Sequence, residues 1–211
     1  MPEAPGAIFV LAGTNGAGKS SLMGAMLRAA GTDYYNPDEA ARRLRTEDPA
    51  LSLEEANGIA WSVGRDYLQR AIATHGTYAF ETTLGGRTIP RMLGEAARAG
   101  LAVQVWYVGL ASADQHVARV RARVEAGGHD IPEARIRERY EQSLLHLIDL
   151  LPHLTTLHLY DNSAERDPRT GQFPAPSLLL QLDRGVVRHI GPLDRAPAWS
   201  KPVLAAVIGR G

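Results

Sequence analysis

The segment GTNGAGKS, Gly13 to Ser20, has the spacing G-x-x-x-x-G-K-[S/T] and stands between an apolar run, AIFVLAG, and a stretch of helical periodicity. In that context a glycine-rich turn aims successive backbone N–H groups at phosphate oxygens, and the following helix start adds partial positive charge. Gly13, Thr14, Asn15, Gly16, Ala17, Gly18, Lys19, Ser20 and Ser21 form the expected nucleotide-binding set. Lys19 is expected to reach the outer phosphates as a catalytic point charge, and the Ser20 hydroxyl to face Mg²⁺. The chain has 21 arginines and only two lysines, Lys19 and Lys201, so a lysine kept at this position is one arginine cannot replace. There is no N-K-x-D guanine signature, which favours ATP over GTP.

A phosphate loop does not name the group that receives the phosphate. In NPDEAARR, Asp38 follows the short strand expected at DYYN by a few residues, at the sheet edge where the loop must lie, with Asn36 beside it. A carboxylate there can orient an acceptor hydroxyl and take its proton, or it can merely cap the following helix. In FETTLGGR, Glu81, Thr82 and Thr83 offer acceptors and donors suited to a sugar. Gly85 and Gly86 allow close approach, and Arg87 follows. Glu81 is read as a substrate contact, with a cap or a water-mediated Mg²⁺ contact as its alternatives. Arg119 and Arg123 share one helix face, opposite Val117, Val120 and Val124, and Arg135 and Arg139 share another. The glycine hinge AGGHDIP separates the two sets, with His129 as a hinge hydrogen-bonding residue. Guanidinium groups at such a hinge suit charge spread over transferring phosphates, and two ordinary solvated faces are the plain alternative.

These side chains need a sheet to hold them. AIFVLAG, DYYN, TYAFE, LAVQVWYVGL and TTLHLYDNS read as strands. Helices are expected over GAGKSSLMGAMLRAAG, with Leu22, Met26 and Leu27 in register and Gly31 as the stop, and over the stretch carrying Ile59, Val63 and Leu68. Further helices run from Ile89 to Ala99, from a Ser112/Gln115 capping box, and from Pro132. The expected fold is α/β: a P-loop kinase-like three-layer αβα sandwich on a mostly parallel five-stranded sheet, with ligands at the carboxyl ends of the strands. Residues 1–163 would form this domain. Residues 164–211 would add a loop, a small hairpin across Asp183 to Gly185 and a proline-spaced tail, packed on the same domain.

Composition narrows the class. A chain of 211 residues, 45% of them apolar, can bury an ordinary core. Zero formal net charge gives no reason to expect nucleic acid or an anionic membrane as partner. The lack of cysteine removes disulfides and thiolate chemistry. Neither a basic, apolar leader nor a run approaching the roughly 20 apolar residues of a membrane span is present, and a cytoplasmic location is expected.

The P-loop, NPDEAARR, FETTLGGR, RVRARVEAGGHDIPEARIRERY and YDNS, in this order from Ala7 to Ser163, resemble the zeta toxin family of P-loop kinases. The resemblance implies ATP-dependent phosphorylation of the sugar 3'-hydroxyl of UDP-N-acetylglucosamine, inhibition of cell-wall synthesis, and an antitoxin protein as partner. It implies Lys19 as the P-loop lysine, Asp38 as the catalytic aspartate and Glu81 as a substrate-binding residue. The phosphate-clamping arginines fall on Arg119 or Arg123 and on Arg139. Another sugar nucleotide, a nucleoside or an antibiotic remains open as acceptor, and a nucleotide-dependent switch is the alternative from outside kinase chemistry.

Overall fold

A computed structural model describes residues 6–20, 33–128, 130–165 and 174–209. Ser21, the helix positions Leu22, Met26, Leu27 and Gly31, and His129 lie outside the described residues. The expected strands form where β-branched and aromatic residues cluster: β1 Ala7–Ala12, β2 Tyr78–Thr82, β3 Ala102–Gly109 and β4 Thr156–Asp161. β1 pairs in parallel with β2 on one side and β3 on the other, and β3 pairs in parallel with β4. The chain thus reverses its direction of growth at β1, which is where an open parallel sheet forms a crevice beyond its carboxyl ends.

Two more strands, β5 Ser177–Asp183 and β6 Val186–Ile190, continue the same sheet antiparallel, giving the order β2-β1-β3-β4-β5-β6. The hairpin between them is therefore the sheet's sixth-strand edge, not an appendage. Its turn is read correctly from sequence. Asp183 pairs with Val186, leaving Arg184 (φ 48°) and Gly185 (φ 77°) as a two-residue loop whose positive angles match the twist of the strands.

Six helices are described: α1 Pro37–Glu47, α2 Leu53–Thr74, α3 Thr88–Arg98, α4 Ala113–Glu125, α5 Glu133–Leu150 and α6 Lys201–Ile208. One continuous core joins Ile8, Val10, Val103, Val105, Leu157 and Leu159 of the sheet to Leu68, Leu93, Leu147 and Leu204 of α2, α3, α5 and α6. Among the described residues no helix is long and apolar enough to cross a membrane.

Three sequence expectations need correction. DYYN is no strand: Tyr35 forms a single bridge to Phe80, accepting from Glu81 N–H and donating to Ala79 O, both at 2.8 Å. Pairing stops there because Asn36 turns to cap α1 and Pro37 has no N–H to give. On α2, Ile59 and Val63 are exposed, and the buried face is Ala56, Ala60, Gly64, Leu68 and Ala71. Small residues win that face because Tyr35 lies close against it: a Cβ on Gly64 would stand 2.8 Å from the Tyr35 ring. The tail after the hairpin contains α6, which buries Val203, Leu204 and Val207, and Trp199 before it fills the space left by Gly109, where a Cβ would meet its ring at 2.4 Å.

Candidate active site

The phosphate-binding turn joins the carboxyl end of β1 to a helical start at Lys19 and Ser20. Its first glycine is required twice over. Gly13 has φ 135°, and a Cβ there would meet Val108 O at 2.2 Å, so β3 lies too close for any side chain. Lys19 is buried and donates to Gly13 O at 2.7 Å and Thr14 O at 3.4 Å. Its ammonium also stands 3.4 Å from Glu81 Oε1, in a pair whose side chains are 5% and 10% exposed.

Glu81, at the end of β2, is therefore gathered to the phosphate loop. Ser20 Oγ donates to Glu81 Oε2 at 2.7 Å, and Asn36 Nδ2 donates to the same oxygen at 3.1 Å. Asn36 Oδ1 accepts from the N–H groups of Asp38 and Glu39 at 2.9 and 3.3 Å, so Asn36 caps α1. The capping role open for Asp38 in the sequence is thus performed two residues earlier, and the Asp38 side chain stands in the first turn of α1. Ser20 and Glu81 offer the hard oxygen donors that Mg²⁺ takes. No cluster of three or more His, Cys, Asp or Glu is found among the described residues.

Across the crevice, Arg139 on α5 closes the site. Its Nη1 donates to Asn15 Oδ1 at 2.8 Å, and Thr14 Oγ1 donates to Arg139 O at 3.4 Å. Burial and the neighbouring Arg135 lower its pKa, and the negative charge of Asp38 acts in the opposite direction. Asn15 and Arg139 thus meet across the crevice, and Asp38 in the first turn of α1 is near enough for its charge to act on Arg139. Gly85 makes room for this, since a Cβ there would lie 2.5 Å from Arg139 Cγ.

The loop carrying Gly85 is held in an unusual shape. Leu84 has φ 54° and is 1% exposed, and its carbonyl lies 2.6 Å from His146 Nδ1 on α5. The left-handed backbone costs about 1–2 kcal/mol, whereas burying a leucine returns about 1.5–3 kcal/mol, so leucine is kept where glycine would be easier. Thr82 Oγ1 and Thr83 Oγ1 accept from Leu84 N and Gly85 N at 3.1 and 3.2 Å and shape the same turn. Arg87 is exposed at the start of α3.

The other arginines separate. Arg119 Nη2 donates to Asn162 O at 2.7 Å and Ala164 O at 3.1 Å, clasping the chain just past β4. Arg123 lays its stem along Gly128, where a Cβ would stand 2.7 Å from Arg123 Cγ. Arg135 is exposed one turn before Arg139. Two further residues hold the phosphate turn, neither singled out from the sequence. Asn162 Nδ2 donates to Ala17 O at 2.8 Å, and the buried His116 ring places Nδ1 2.8 Å from Asn15 O. Burial lowers the His116 pKa to about 4, and Lys19 and Arg119 act in the same direction. Asn162 could have been noticed as a polar residue at a strand's carboxyl end. Nothing in the spacing around His116 marks it.

Residues 8–142, more than half of the chain, match the family model AAA_33, described as an AAA domain. The chain belongs to that AAA domain family. This AAA domain is 33% identical over 128 residues to an uncharacterized protein of Haemophilus influenzae, across 61% of this chain and 88% of that protein. Its fold is similar to that of a chain of the AvrRxo1-ORF1:-ORF2 complex with ATP, at TM-score 0.60 and 13% identity, covering 97% of this chain and 64% of that one. It is similar also to the PezAT chromosomal toxin-antitoxin system of Streptococcus pneumoniae, at TM-score 0.55 and 15% identity, over 75% and 68% of the two chains. These likenesses show the P-loop kinase-like α/β fold and accord with the zeta toxin-like resemblance of the motifs. The AAA domain chain spans 64% of the length of that chain of the AvrRxo1-ORF1:-ORF2 complex.

Proposed function

We propose that this AAA domain protein is an ATP-dependent kinase of a small hydroxylated molecule, with a sugar nucleotide as acceptor and the sugar 3'-hydroxyl of UDP-N-acetylglucosamine as the first substrate to test. The observation that carries the reading is the contact of Arg139 with Asn15 over the crevice where Lys19, Ser20 and Glu81 gather, with the charge of Asp38 acting on the same guanidinium. A phosphate site alone would serve a switch or a hydrolase. A carboxylate in the first turn of α1 whose charge acts on that half-buried guanidinium suits a hydroxyl acceptor.

Asp38 accepts the acceptor's hydroxyl proton as its oxygen forms a bond to the γ-phosphorus. The bond from that phosphorus to the β–γ bridging oxygen breaks, and ADP departs with the electron pair. Arg139 meets the charge on the equatorial oxygens, and Lys19 holds the β- and γ-phosphates. Bound Mg²⁺ would neutralise phosphate charge, with the Ser20 hydroxyl as ligand and Glu81 engaged through water. This metal-end role for Glu81 is supported by its carboxylate oxygens, which meet Ser20, Asn36 and Lys19. Thr82, Thr83, Asn36 and Arg87 then border the acceptor side. A cytoplasmic site of action and a protein antitoxin as partner belong to the same reading, the antitoxin supported by the PezAT toxin-antitoxin system among the structures of similar fold.

The test is ATP consumption with and without UDP-N-acetylglucosamine, the product followed by mass. Acceptor-dependent ADP release with a gain of one phosphate on the sugar nucleotide is the expected result. Acceptor-independent hydrolysis that no sugar nucleotide, nucleoside or antibiotic accelerates would replace the kinase reading with a switch.

A further inference from the structure

We infer that His116 is a positioning residue that sets the orientation of the Asn15–Gly16 peptide in the phosphate-binding loop. The inference rests on the nucleotide-binding reading of that loop. His116 is 1% exposed on α4, and its Nδ1 lies 2.8 Å from Asn15 O. A carbonyl oxygen only accepts, so Nδ1 carries the proton and the ring is a donor in one fixed tautomer. The edge of Tyr140, at 5.5 Å and 62°, holds the ring plane from the α5 side.

The consequence comes from peptide geometry. In a trans peptide the C=O and the following N–H point in opposite directions across a rigid plane. A hydrogen bond that pulls Asn15 O outward to His116 therefore aims the Gly16 N–H away from α4. Gly16 has φ 85°, and a Cβ there would meet His116 O at 2.8 Å, so α4 touches this peptide through both the ring and the backbone of one residue. Asn15 is held a second time, on its side chain, by Arg139 at 2.8 Å. Without the ring bond, a glycine-containing turn of this kind is free to rotate its peptide plane, and a donor needed for phosphate would be misdirected.

The experiment is equilibrium titration of purified full-length variants with Mg²⁺-ATP, with a thermal melt recorded for each. An asparagine amide nitrogen can occupy the position of Nδ1, whereas a glutamine amide occupies that of Nε2. His116→Asn is expected to bind within about threefold of the parent, and His116→Gln and His116→Phe to bind at least about tenfold more weakly, the scale of one hydrogen bond to a charged group. A folded His116→Phe that binds as the parent does, or Asn and Gln variants that lose affinity equally, overturns the inference. If the phenylalanine variant fails to fold, the Asn–Gln comparison decides alone. Lys19→Ala is run alongside. Parent-like binding by that variant would refute the nucleotide-binding reading itself, while its failure beside an unaffected His116→Phe refutes only the role of His116.

Discussion

Lys19 shows how much a single side chain can carry. It is a buried cation whose neighbours are two carbonyls and a carboxylate, and Lys19→Ala is expected to abolish ATP turnover with the far-ultraviolet circular dichroism unchanged. On the proposed kinase reading, Asp38 and Glu81 separate by task. Asp38→Asn keeps the shape and loses the base, so kcat for phosphoryl transfer should fall by about 10² or more with ATP affinity preserved. Glu81→Gln removes charge from the Ser20 end, so the Mg²⁺ concentration for half-maximal ATP binding should rise at least about tenfold while the acceptor KM moves little. A large rise in acceptor KM with unchanged Mg²⁺ dependence would return Glu81 to the acceptor pocket. His116 adds a pH signature. Its folded pKa near 4 lies below the roughly 6.5 of an unfolded histidine, so its contribution is complete above that value and is lost as pH falls toward 4. Denaturant unfolding of His116→Asn should show a shallower acid loss than the parent, by at most about 3 kcal/mol across that window. The phosphate turn was legible because its chemistry is written in consecutive residues. Glu81's partners were not, because Ser20 and Asn36 reach it only once β2 lies beside β1.

At the scale of elements, α5 and the loop after β2 form one mechanical unit. Arg139→Ala should lower the phosphoryl-transfer rate by roughly 10² or more. Gly85→Ala should imitate it in part, since a methyl group 2.5 Å from Arg139 Cγ must displace that side chain. Gly86→Ala, with open space around its Cα, should leave the rate within about twofold, and an equal loss from both substitutions would show that loop flexibility matters instead. The helices and parallel strands could be read from periodicity, but which face of α2 is buried could not. The apolar Ile59 and Val63 lose to Ala60 and Gly64 because a tyrosine ring from a distant segment demands a small neighbour, and such fits leave no periodic trace. At Tyr35 the reason differs: two tyrosines raise strand propensity, but Asn36 and Pro37 end the pairing after a single bridge.

For the whole molecule, the C-terminal segment is part of the frame. Trp199 Nε1 donates to Asp161 Oδ1 at 2.8 Å, and its ring packs into the Gly109 notch at the carboxyl end of β3. Trp199→Ala should cost about 3–5 kcal/mol in urea unfolding, and a loss below about 1 kcal/mol would show the tail to be dispensable. The deeper consequence belongs to α5, which grips the nucleotide turn through Arg139 and the opposite loop through His146 and the Gly85 contact. If the two regions bind nucleotide and acceptor as proposed, a rigid helix that touches both can couple their occupancies. Whatever factor ATP adds to the affinity for the acceptor, the acceptor must add to the affinity for ATP, and shortening the Arg139 side chain should shrink both factors together.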